Sequence, residues 1–133
     1  MAAGVLRPED INSAEVQLGG VPFPGEYRDW LLATNGHEAW FGEVFVMFYS
    51  LDDVVAVTQA AEPDERLPGL LAFGSDGCGE LLAFDLRRTP APVILVNTVS
   101  AGWHEGLFQA PSFSAFMAQR DASEPFRWEE PYV

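Results

Sequence analysis

Apolar residues recur along this chain with two different periods. Between Glu26 and Thr34 the spacing is helical, and Pro8 to Leu18 reads as a short helix from the residues at its ends. Tyr27, Trp30, Leu31 and Thr34 fall at i, i+3, i+4 and i+7, which predicts one buried face. Pro8, Glu9 and Asp10 suit a first helical turn, and Gly19-Gly20 ends that helix. Val21-Pro22-Phe23-Pro24 is a stiff, extended entry to the second, because residues before proline avoid helical geometry. Asn35-Gly36 stops it, and Gly36 is predicted to take the left-handed conformation that commonly closes a helix.

The next segments change period. Trp40 to Tyr49 reads as one strand bent at Gly42. Its apolar residues run almost unbroken from Val44 to Tyr49, which predicts cover on both faces. Ser50 caps a helix with Asp52 and Asp53 in its first turn and Val54, Val55 and Thr58 on its inner stripe. Glu62 to Arg66 reads as an exposed acidic loop. Leu70-Leu71-Ala72-Phe73 and Leu81-Leu82-Ala83-Phe84 are identical apolar runs around a glycine-rich loop, which predicts a hairpin of two core strands. Val93 to Val99 is a further strand. Ser100 to Gln109 reads as an irregular connection carrying Trp103, His104 and Glu105. Ser112 caps a helix from Phe113 to Arg120, with Phe113, Phe116 and Met117 turned inward. No linker divides the chain. The expectation is one domain over 1–133, with a core of about 8–120 and an acidic, aromatic tail over 121–133.

Charge narrows the partners. Twenty acidic and seven basic residues give a net charge of −13, and every basic residue is an arginine. Such a surface repels phosphate backbones and anionic lipid, so neither nucleic acid nor a membrane is expected as partner; a basic protein is. The single cysteine, Cys78, cannot form an internal disulfide. No apolar run approaches the ~20 residues of a membrane helix, and residues 1–10 lack the apolar stretch of a signal peptide. A cytoplasmic location is expected.

Catalytic chemistry finds little support. A thiol nucleophile needs an imidazole close by, and His37 and His104 are the only histidines. The residues near Cys78 in sequence, Asp76 and Glu80, are acids rather than the basic groups that activate a thiol. One cysteine and two distant histidines do not make a zinc site. Asp76, Glu80 and Asp85 lack the spacing of a calcium loop. Gly74-x-x-Gly77-x-Gly79 is neither a dinucleotide fingerprint nor a phosphate loop. The expectation is a non-enzymatic protein without cofactor or metal. A small hydrolase or thiol enzyme built on Cys78 and a histidine is the alternative from another class.

Binding is better served. Trp103 and Trp128 lie in segments predicted irregular, where an aromatic side chain can anchor a partner, although packing against the domain is the commoner role. The expected contact residues are Asp76, Glu80, Trp103 and Glu105, with Glu38 and Trp40 extending the rim unless Trp40 belongs to the core.

A series of motifs is more specific than any single residue. Glu15-x-x-Leu18-Gly19, then Phe23-Pro24, then Tyr27 in a helix stopped by Asn35-Gly36, resembles the opening of the SUKH superfamily. Gly74 to Glu80 followed by Ala83-Phe84-Asp85, then Pro92-Val93-Ile94 and Ser112 to Phe116, resemble its later marks in order. Phe23 stands where leucine is usual, His37 replaces a second glycine, and Cys78 interrupts the glycine loop. The superfamily includes fungal cell-wall regulators of the SMI/KNR type and many bacterial immunity proteins. The resemblance implies an α+β domain, a mainly antiparallel curved sheet packed against helices from both ends of the chain. It also implies protein binding without catalysis: neutralisation of a toxin, often a nuclease, or a regulatory scaffold role. The oligomeric state is left open.

Overall fold

The computed structural model describes residues 6–61, 63–97 and 99–132. In chain order its elements are α1 (Pro8–Gln17), α2 (Gly25–Thr34), β1 (His37–Phe41), β2 (Val44–Phe48), α3 (Leu51–Ala60), one-turn α4 (Pro63–Arg66), β3 (Leu70–Ser75), β4 (Glu80–Asp85), β5 (Val93–Asn97), β6 (Leu107–Ala110) and α5 (Phe113–Asp121). The strands form one six-stranded sheet in sequence order, antiparallel throughout and curled into a half-barrel. This is the expected α+β domain.

Both faces of the sheet's centre are covered, because period-two alternation sends neighbouring apolar residues to opposite sides. The concave side is packed by Ile11 of α1, Tyr27 and Leu31 of α2, and Phe113 and Phe116 of α5 against Phe41, Phe48, Phe73, Phe84 and Leu95. The outer side carries a smaller cluster in which Ala61, Leu67, Trp103 and Tyr132 cover Leu70, Ala72, Leu81, Ala83, Ile94 and Val96. Two such layers explain why β3, β4 and β5 read as continuous apolar runs.

Several expectations are corrected. Trp40–Tyr49 is not one strand: Gly42, at φ +62°, and Glu43 make a tight turn between β1 and β2. Positive φ at the first turn residue alone is the type II′ arrangement that glycine favours there. Glu62 lies outside the described residues, but Pro63–Arg66 is a helical turn, and the Arg66 guanidinium donates to the Ser100 carbonyl at 2.7 Å. Ser100–Gln109 is not irregular: it holds a 3₁₀ turn, Trp103–Glu105, and strand β6. β5 ends at Asn97, and Val99 is exposed. Thr34 faces solvent, its hydroxyl donating back to the Trp30 carbonyl.

The tail is docked. Phe126 enters the concave core, its ring tilted against those of Phe41 and Phe116. The buried Gln109 amide donates to the Arg127 carbonyl at 2.8 Å and accepts from the Arg127 N–H at 2.9 Å, in the manner of a strand neighbour. Phe108 N–H donates to the Glu130 carbonyl, and Tyr132 N–H to the Gly106 carbonyl. The tail thereby covers the outer edge of β6.

Candidate protein-interaction site

The sheet's cover stops short of the β1–β2 hairpin. β2 pairs with β3 only through Met47↔Ser75 and Phe48↔Gly74. Beyond that point α3 takes the place beside β3, and the Thr58 hydroxyl accepts the Ala72 N–H at 3.0 Å. The hairpin therefore extends past the elements that cover the outer face. Opposed residues share a face, so Trp40 lies against Phe45, and Glu38, Met47 and Ser75 form a row across three strands. The Trp40 and Phe45 rings meet edge to face at 5.1 Å. Trp40 is 60 % exposed and Met47 41 %. Phe48 and Val46, on the opposite side, are buried. The prediction that both faces of Val44–Tyr49 are covered thus fails on the outer side.

Carboxylates ring this apolar strip. Glu38 and Glu43 are exposed at the hairpin. The half-buried Tyr49 phenol is pushed up by burial, pulled back by its bond to Ser75, and pushed up again by the charges of Asp53 and Asp76, which places both acids around it. Among the described residues the ion pairs join Arg28–Glu15, Arg87–Asp85, Arg120–Asp121 and Arg127–Glu130. None of them neutralises the acids of this face.

The residues expected from sequence divide into two groups. Glu38 and Trp40 are exposed on the open face, Trp40 against Phe45. The others are tied into local structure. Asp76 Oδ1 accepts the Cys78 and Glu80 N–H groups, holding the β3–β4 turn. Glu80 Oε1 accepts from Asn97 Nδ2, and Glu105 Oε1 accepts from the Ala101 N–H at 2.8 Å. Trp103 is 8 % exposed. Its indole N–H donates to the Pro68 carbonyl, and its ring meets Tyr132 edge to face. The expectation of an exposed anchor at Trp103 is corrected, and Trp40 holds that position instead. Asp85, weighed as a calcium ligand, is fully buried and is held by Arg87 and Tyr132.

Residues 6–119 match the model of the SMI1/KNR4 family, SUKH-1. The chain belongs to this family. Comparison with curated protein sequences gives no match. The β1–β2 hairpin of this SMI1/KNR4 domain lies inside the matched span, whereas the docked tail lies beyond it. Phe45, Met47 and Tyr49 were the residues that sequence reasoning missed on the open face. Their signal was present: once Gly42-Glu43 is recognised as a hairpin turn, Phe45 and Met47 alternate with the buried Val46 and Phe48. No polar residue marked the outward side, because that side is itself apolar.

Proposed function

We propose that this chain is a non-enzymatic protein-binding domain, an immunity protein that neutralises a basic toxin domain through the outer face of its β1–β2 hairpin. One observation carries the reading: an exposed strip of Trp40, Phe45 and Met47 ringed by unneutralised carboxylates. An aromatic anchor with a charged rim is the composition that binding hot spots favour. Complementary charge speeds encounter with a basic partner and disfavours acidic ones. Family membership supports protein binding in general, and the net charge of −13 supports the sign of the partner. Cys78 has no part in this reading. It is exposed in a turn held by Asp76, and Cys78→Ser is expected to leave fold and binding unchanged.

The test uses the cognate partner, found from the adjacent gene or by pull-down and produced as a purified domain. Association is expected to slow about tenfold or more between low and physiological salt, as screening shortens. Trp40→Ala is expected to weaken affinity roughly 30-fold, about 2 kcal/mol. Protection of cells against that protein would identify an immunity role; binding to an endogenous cell-wall synthesis factor would identify the scaffold role instead. Salt-independent association, with Trp40→Ala binding like the parent, would place the interface elsewhere.

A further inference from the structure

We propose that the partner docks by strand addition: an extended, basic segment pairs with the open edge of β1 and extends the sheet beside Trp40. The inference rests on the binding reading above and specifies its mode.

The sheet has two outer edges, and they are treated differently. The β6 edge is closed by the tail, through Phe108 N–H to the Glu130 carbonyl, Tyr132 N–H to the Gly106 carbonyl, and the Leu107↔Pro131 bridge. Among the described residues β1 pairs only with β2, over five residues without a register break. Its sequence, His37-Glu38-Ala39-Trp40-Phe41, has none of the prolines, lysines or bulges that usually blunt an edge.

Hairpin geometry identifies the groups on offer. A type II′ turn at Gly42-Glu43 makes Phe41↔Val44 a hydrogen-bonded pair, and such pairs alternate along an antiparallel ladder. Ala39 and His37 therefore bond to β2. The N–H and C=O of Glu38 and Trp40 point outward, and the side chains of these same two residues lie on the open face. An added strand that pairs with Glu38 and Trp40 sets its alternate side chains directly beside the Glu38 carboxylate and the Trp40 ring. Arginine or lysine at those positions gains an opposite-charge cross-strand contact and a cation–π contact.

Charge decides the occupant. A second copy of this chain would bring the same acidic edge, with its Glu38 and Glu43, up to this one and add −13 to −13; a basic segment meets no such opposition.

The probe is a short synthetic peptide alternating arginine with valine, compared with a version N-methylated at alternate residues. The two share charge and side chains, but the second lacks the N–H groups that strand pairing uses. With the full chain, the first peptide is expected to slow amide hydrogen exchange of Glu38 and Trp40 by about tenfold or more, and the N-methylated peptide to leave it unchanged. Glu38→Pro removes an outward N–H but no bond to β2, so it is expected to abolish peptide binding, whereas Glu38→Gln only weakens it. The exchange data in the unaltered chain stand even where the proline variant misfolds. Equal binding of both peptides, or failure of the unmethylated peptide to bind, overturns strand addition. Protection of the two amides without peptide would assign the edge to a second copy and overturn it too. If Trp40→Ala still weakens the cognate complex after such a result, the binding face stands and only its mode fails.

Discussion

The Tyr132 hydroxyl donates to Asp85 Oδ2 at 2.5 Å, joining residues 47 apart in sequence. The Asp85 carboxylate also takes two bonds from the Arg87 guanidinium and one from the Arg87 N–H. Burial raises this carboxyl, but the bonds from Arg87 and Tyr132 together outweigh it and hold the group below its ordinary value. Burial, then the bond to Asp85 and its charge, push the Tyr132 phenol up to about 12.

Two pH limits follow from that pair. A depressed carboxyl stabilises the fold above its unfolded value, about 3.9, and that contribution is lost as pH falls through the folded value. A raised phenol stabilises the fold below its unfolded value of about 10, and that contribution is lost as pH rises through the folded value. Tyr132→Phe is expected to cost about 1–3 kcal/mol at neutral pH, because it removes one of the hydrogen bonds to a buried, charged carboxylate. It should also flatten the alkaline limb. Urea midpoints across the pH range check both. An unchanged midpoint at neutral pH would show that Arg87 alone satisfies Asp85.

Tyr27 presents the opposite case. Its ring packs within 5.5 Å of Phe73, Phe84 and Phe113, centroid to centroid, and its hydroxyl has no hydrogen-bond partner among the described residues. Burial drives its ionisation far above the usual range. Tyr27→Phe keeps the ring and removes the unsatisfied oxygen. Stability should stay level or rise by up to about 1 kcal/mol. A clear loss in urea unfolding would mean that the hydroxyl is bonded to buried water.

Trp103 and Trp40, the two tryptophans among the expected contact residues, should separate in stability. Trp103→Ala opens a cavity beneath Tyr132 and Leu67, and is expected to cost about 3–5 kcal/mol. Trp40→Ala, on the open face, should cost under about 1 kcal/mol. Thermal unfolding of both variants measures the contrast. Equal losses would contradict the burial assigned to each.

Gly36 has φ +105°, as its sequence position predicts. A Cβ there would lie 3.3 Å from the Ser50 nitrogen, at the start of α3. Gly36→Val should destabilise by about 1–2 kcal/mol or more. The helix itself ends one residue earlier. Asn35 is the left-handed cap at φ 43°, and its side-chain oxygen accepts the Leu51 N–H at 2.9 Å. An unchanged urea midpoint for the valine variant would remove the strain assigned to Gly36.

Elements with their own punctuation were legible in the sequence. Ser50 and Ser112 accept the Asp53 and Ala115 N–H groups as helix caps, and the twin Leu-Leu-Ala-Phe runs pair as a hairpin. What resisted reading depends on distant partners. Trp103 is buried by Tyr132 and by the Pro68 carbonyl, neither of which local spacing reveals. β6 is only four residues long and gains its tail partner from residues 127–132. The open face misled for a different reason: an apolar outward side and an apolar buried side look alike until the turn fixes their alternation.

Strand order that equals chain order has a consequence for synthesis. Each strand can join its predecessor in the order of synthesis, across the α3–α4 connection in the case of β3, so the sheet can grow from β1 without waiting for a later strand. Throughout that growth the advancing edge is an unpaired ladder, open to wrong pairing with any nearby chain. Only when residues 127–132 have been made can β6 be closed and Tyr132 reach Asp85. The nascent sheet therefore passes through a window with two adhesive edges, and the acidity of the whole chain would then keep copies on neighbouring ribosomes apart.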